Sequence, residues 1–97
     1  MPLTTWATGF YCAAHRDDSG TIHGHTYHAR AEWAYDDSCA VERKAQLDAA
    51  LAEFDHTTLP EALRRAEDMC LRIAVKTGAV RVDVWRDAEG LGATWKA

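Results

Sequence analysis

Three of the five histidines in this 97-residue chain have the spacing of metal ligands. His23 and His25 flank Gly24, and residues two apart along a strand point the same way, so both imidazoles can reach one point. Gly24 between them lets the backbone approach closely. His15 ends an earlier apolar stretch, and a tight turn would bring it beside the pair. Three neutral imidazoles leave a fourth position open, which describes a catalytic zinc site rather than a closed structural one. A His-x-His pair alone reads equally well as two surface histidines at a strand start. It is His15 opposite them that favours the metal. His28 falls on the other face of the same strand from His25 and reads as structural or solvent-facing. On residue type alone, His56 is a loop residue or a helix-cap partner.

The elements that must position these side chains follow from periodicity. Residues 3–15, rich in Thr, Trp, Phe and Tyr, read as a strand. Arg16-Asp17-Asp18-Ser19-Gly20 is turn chemistry. A second strand spans roughly 23–36, with His25, Tyr27, Ala29, Ala31, Trp33 and Tyr35 on one mostly apolar face. Asp36-Asp37-Ser38 breaks the pattern and can cap a helix over about 40–54, where Leu47, Leu51 and Phe54 recur at helical spacing. Pro60 suits the first position of a second helix, 60–77, which carries Leu63, Ala66, Met69, Cys70, Ile73 and Ala74 on one stripe and ends at Gly78. Val80, Val82 and Val84 alternate as a third strand, Gly90 and Gly92 mark a turn, and 93–96 make a short fourth. The expected fold is α+β, β-β-α-α-β-β: an antiparallel four-stranded sheet with two helices on one face, in a single domain over residues 1–97. The other face and the edges would lie open, which predicts a homo-oligomer.

Composition narrows the function classes. Hydrophobic residues make up 47% of the chain and charged ones 27%, which is ordinary globular usage. A net charge of −4 without a basic patch argues against nucleic acid. Arg43-Lys44 and Arg64-Arg65 fall inside the helical patterns and read as solvated faces. No stretch is long and apolar enough for a membrane span, and Met1-Pro2-Leu3-Thr4-Thr5 does not resemble a targeting signal, so a cytoplasmic protein is expected. Cys12, Cys39 and Cys70 make a poor disulfide framework and read as small, partly buried hydrophobes.

Several segments resemble the 6-pyruvoyl- and 6-carboxy-tetrahydropterin synthase family. Tyr11-Cys12-Ala13-Ala14-His15 is similar to its aromatic-x-Ala-Ala-His segment, and Ile22-His23-Gly24-His25-Thr26-Tyr27 to its Leu-His-Gly-His-Asn-Tyr. Phe54-Asp55-His56-Thr57-Thr58-Leu59 resembles its Leu-Asp-His-x-x-Leu loop. Ala66-Glu67-Asp68-Met69 resembles the Ala-Glu-Asn-Leu of its second helix, and residues 80–86 its penultimate strand. The resemblance implies the T-fold (tunnelling fold), a hexamer of two stacked trimers, zinc held by His15, His23 and His25, and a proton relay of Asp55 and His56.

Two departures separate scaffold from substrate. Where the family carries its catalytic thiol, four residues before the first His of His-Gly-His, this chain has Ser19, and a hydroxyl is a far weaker base than a thiolate. Cys12, opposite in strand parity to His15, does not simply replace it. Where the family anchors its pterin with a glutamate, this chain has Arg86, which would leave the ring's N–H donors unpaired. Glu89 is near and is a second candidate for substrate binding in place of that glutamate, although it falls in the turn. The expectation is therefore a zinc-dependent lyase or cyclase acting on a non-standard small-molecule substrate, with Arg86 free to hold an anionic group or to pair with Asp87 or Glu89. A true tetrahydropterin synthase using a different base, and a non-catalytic zinc-binding scaffold subunit, are the alternatives.

Overall fold

The computed structural model describes residues 3–97. Met1 and Pro2, on which the reading of the chain's start partly rests, lie outside the described residues. Strand β1 (Thr4–Arg16) and strand β2 (Ile22–Ala34) form a long antiparallel hairpin across the Asp17–Thr21 turn. Helix α1 (Ala40–Leu51) follows, then the two-residue strand β3 (Thr57–Thr58), a 3₁₀ turn over Glu61–Leu63 and helix α2 (Ala66–Thr77). Strands β4 (Arg81–Arg86) and β5 (Leu91–Lys96) complete a sheet of order β3-β1-β2-β4-β5.

The sheet has five strands rather than the expected four, and it is mixed, because β3 pairs parallel to β1 with Ala13 opposite Thr57 and Ala14 opposite Thr58. A two-residue strand has no periodicity of its own, so no pattern announces it. It matters here because it fastens the loop carrying Asp55 and His56 to the strand carrying His15.

Alternation divides the sheet as expected. Tyr11, Ala13, Tyr27, Ala29, Ala31, Trp33, Val82 and Val84 are buried under the helices, against Leu47, Leu51, Phe54, Met69, Cys70 and Ile73. At Gly9 side chains of α1 pack closely on the sheet: a Cβ there would sit 2.8 Å from the Leu51 side chain. The Tyr11 hydroxyl donates to Met69 Sδ, and Trp33 Nε1–H donates to the Thr77 carbonyl, both at 2.9 Å. Gly78, in the left-handed region with φ 69°, ends α2. The opposite face carries Trp6 and Phe10, both more than half exposed, and among the described residues no helix covers it.

Several local expectations are corrected. The second helix begins at Ala66, not at 60, because Arg65 is extended (φ −105°, ψ 150°) and Pro60 precedes only the 3₁₀ turn. Arg64 and Arg65 therefore stand before the helix instead of on its solvated face. Arg43 is on α1, but its guanidinium lies over the Trp33 ring and bonds Asp36. Asp36-Asp37-Ser38 does not cap α1; the N-cap is Cys39 without a side-chain bond, and Asp36 accepts the Ser38 N–H instead. Tyr35 lies beyond the end of β2 and is exposed. Cys12 and Cys39 are exposed, and of the three thiols only Cys70 is buried.

Candidate metal centre and proton relay

The hairpin register places His15 directly opposite His23, with His25 opposite Ala13 one step along the same edge. The three rings gather at the turn end of the hairpin, with centroids 5.0 Å apart for His15–His25, 5.9 Å for His15–His23 and 6.3 Å for His23–His25. Strand pairing alone achieves this, since β1 and β2 remain paired as far as Arg16 and Ile22.

Each imidazole has one nitrogen held by an oxygen. His15 Nδ1 is 3.3 Å from the Arg16 carbonyl, His25 Nδ1 is 3.1 Å from Glu89 Oε1, and His23 Nε2 is 2.6 Å from Asp17 Oδ2. Such acceptors fix ring orientation and tautomer, which is how ligating histidines are commonly supported. The remaining nitrogens of two of the rings face each other: His15 Nε2 and His25 Nε2 are 3.0 Å apart. Two imidazole ligands of one tetrahedral zinc, with Zn–N near 2.0–2.1 Å, have nitrogens about 3.3 Å apart. Even so, among the described residues no group of three or more His, Cys, Asp or Glu side chains is arranged, as it stands, to hold a metal. One contact stands directly against a metal: Arg86 Nη1 donates to His25 Nε2 at 2.9 Å, at the lone pair that a metal would take. The donor set fits zinc in type and support, and metal entry requires Arg86 to release His25. Burial lowers the His25 pKa, and Arg86 lowers it further, both favouring the neutral ring that ligation needs.

Asp17 was not singled out in the sequence. It organises the turn: Oδ1 accepts the Ser19 N–H, the Ser19 hydroxyl and the Thr21 N–H, while Oδ2 holds His23. These contacts, that from Ser19 foremost, hold the Asp17 carboxyl well below the usual range. Its signal was the Asp-x-Ser pattern of an Asx-turn, which reads as turn chemistry alone. Ser19 lies in this turn with its hydroxyl donating to Asp17 at 2.7 Å.

Asp55 and His56 sit beside β1. His56 Nδ1 donates to Asp55 Oδ2 at 2.9 Å, and Asp55 Oδ1 accepts the Cys12 N–H at 3.0 Å. The Cys12 amide, then His56, keep the Asp55 carboxyl below its ordinary value. His56 adopts φ 57°, a left-handed conformation uncommon for a residue with a Cβ, and its N–H donates to the Cys12 carbonyl at 2.6 Å. A cavity of about 450 Å³ has His56, His25, Cys12, Gly24 and Thr26 among its lining residues. Gly24 was expected to allow a close backbone approach, but a Cβ there would meet open space, so the glycine widens the cavity instead. Cys12 faces this cavity, on the side of the sheet opposite the buried residues.

Arg86 ends β4 and Glu89 lies in the β4–β5 turn; together they grip the two nitrogens of His25. Neither Asp87 nor Glu89 pairs with Arg86, so the charge pairing considered from sequence is not formed among the described residues.

A hairpin-based sheet backed by two helices, with a three-histidine end and a fifth strand on its edge, has the T-fold architecture of the tetrahydropterin synthases. The chain is similar to the structure of Caenorhabditis elegans 6-pyruvoyl tetrahydropterin synthase, with a TM-score of 0.72 at 16% identity, covering 98% of this chain and 95% of that one. No family model matches the sequence, and no curated protein matches it either. The resemblance in the motifs thus meets an independent likeness in the fold.

Proposed function

We propose that this chain is a zinc-dependent lyase or cyclase acting on a small molecule other than the family's usual pterin. The observation that carries the reading is that His15, His23 and His25 converge while each has one nitrogen held by an oxygen, so that a metal would take the other, on His25 after displacing Arg86. When bound, zinc supplies a Lewis acid that polarises a substrate carbonyl or hydroxyl oxygen. The chain's own residues provide the proton movement. Asp55 receives the Nδ1–H of His56, which leaves Nε2 to take or deliver a proton, and the Cys12 amide fixes the carboxylate in place. Of the three candidate ligands, His25 is among the residues that line the cavity of His56, which supports a relay working near the metal end. Ser19, committed to Asp17, is better placed to shape the turn than to act as a base. The uncovered face with Trp6 and Phe10 supports a homo-oligomer, for which the family's hexamer is the working expectation.

The test is metal content per chain in protein purified without chelator, beside the double variant His23→Ala, His25→Ala. Close to one zinc per chain in the parent, lost in the variant, supports the site. No stoichiometric metal in the parent removes the Lewis acid. The non-catalytic scaffold reading draws on His23 and His25 being engaged by Asp17 and Arg86 rather than poised as ligands. It predicts that His56→Ala changes nothing in the pathway that the protein serves, whereas the enzyme reading predicts loss of turnover with zinc retained.

A further inference from the structure

We propose that Arg64, Arg65 and Arg86 form a subsite for an anionic oxygen group, a carboxylate or a phosphate, on the small molecule that this protein binds. The inference deepens the proposed function by naming a substrate class, and it rests on that reading only for placing the anion beside the metal.

A second cavity, of about 220 Å³, lies on the helix side of the histidine cluster. Its wall includes His15, Tyr27, Arg86 and the segment from Arg64 to Glu67. Three arginines and a single acidic residue, Glu67, therefore contribute to the lining of a small space. None of the three is committed to a strong ion pair. Arg86 makes no carboxylate contact among the described residues and donates instead to the His25 ring. Arg64 donates to the Arg16 carbonyl at 3.2 Å and is 3.5 Å from Asp18, whose side chain is 98% exposed. Arg65 reaches Asp68 only at 3.4 Å, on the surface. Exposed pairs of this kind hold little free energy and can be exchanged for a ligand.

The backbone adds to the positive field. Arg65 is the N-cap of the 12-residue helix α2 and makes no side-chain cap bond. Cap positions normally carry an oxygen that satisfies the first amides, and the helix N-terminus is the positive end of its dipole. Here two arginines precede that end, compounding its charge, and Ala66 and Glu67 are among the residues that line the cavity. Glu67 and Asp68 in the first turn offset part of this field. Planar guanidinium forks and helix-terminal amides together match a carboxylate or phosphate. An anion bound there would also draw Arg86 from His25, releasing the nitrogen that a metal needs, so anion and metal should assist each other.

The experiment titrates chelator-treated, zinc-free protein with inorganic pyrophosphate, inorganic phosphate and malonate, following ¹H–¹⁵N spectra. The expected result is saturable movement of the Ala66 and Glu67 amides and of the Arg64 and Arg86 Nε–H signals. Binding should weaken at least ten-fold in Arg86→Gln and in Arg64→Gln, and less in Arg86→Lys, which keeps the charge without the fork. Stronger binding of pyrophosphate would assign a phosphorylated substrate, and of malonate a carboxylate. No saturation with any of the three, or saturation undiminished by all three substitutions, overturns the subsite. The spectra themselves report whether each variant is folded. Because no metal is present, failure here leaves the zinc reading intact, and failure of the zinc assay leaves this titration interpretable.

Discussion

Arg86 donates Nη1–H to His25 Nε2 at 2.9 Å, on the same nitrogen that faces His15 at 3.0 Å. A cation thus stands against a ligand lone pair. Arg86→Gln removes both the competitor and its charge, and zinc affinity should rise roughly ten-fold, about 1.4 kcal/mol. Competition against a chromogenic chelator measures this directly; unchanged or weaker affinity would show that Arg86 does not oppose the metal.

Asp17 holds His23 and closes the turn that follows β1. Asp17→Ala releases both at once. Zinc affinity is expected to fall by about 10- to 100-fold, the usual cost of losing a carboxylate behind a ligating histidine. Thr21→Ala leaves the carboxylate's grip on His23 in place, and it should change affinity little in the same assay.

Glu53 joins the end of α1 to α2, accepting from Arg72 through both oxygens at 2.8 Å and pairing with Lys76 at 3.1 Å. These cations, Arg72 first, lower its pKa from an ordinary 4.5 to about 2. A depressed carboxylate pKa stabilises the fold at pH above its unfolded value, and that contribution disappears as pH falls through the folded one. The stability difference between the parent and Glu53→Gln should therefore be full above pH 4.5 and vanish as pH approaches 2. For a surface network it should be on the order of 1 kcal/mol. Urea melts of both proteins across this range test it, and a constant difference would refute it.

Thiol titration separates the cysteines. Cys12 and Cys39 are exposed, whereas burial pushes the Cys70 thiol up to about 11, and its Sγ–H donates to the Ala93 carbonyl. Two thiols should react rapidly with a disulfide reagent at neutral pH, and the third only after denaturation. Three fast thiols would mean that α2 opens readily.

How far the sequence carried this reading depended on the length of each signal. Tyr27 to Trp33 and Val82 to Val84 alternate over enough residues to place the sheet and its buried face. Leu47, Leu51 and Phe54 did the same for α1, even though the helix stops at Leu51 and Phe54 is carried inward by the following turn. The second helix was overextended because Leu63 and Ala66 continue its stripe and nothing local shows that Arg65 is extended. At the site, His15, His23 and His25 were legible because strand parity governs them. Asp17 and the Arg86–His25 bond were not, since each depends on where a turn or a neighbouring strand places a side chain. Asp55–His56 was visible only by resemblance, and the β3 pairing that positions it is two residues long.

That short parallel pairing gives the site a single mechanical reference. The His56 and Leu59 amides donate to the Cys12 and Ala14 carbonyls at 2.6 and 2.7 Å, one residue either side of the paired stretch and within the strand that ends in His15. The relay loop and the metal end therefore share one ladder, and fraying of this edge would misalign both together. Hydrogen exchange at those two amides becomes a gauge of site integrity readable without any substrate. Slower exchange on adding zinc would mean that metal binding at one end of the hairpin steadies the relay at its edge.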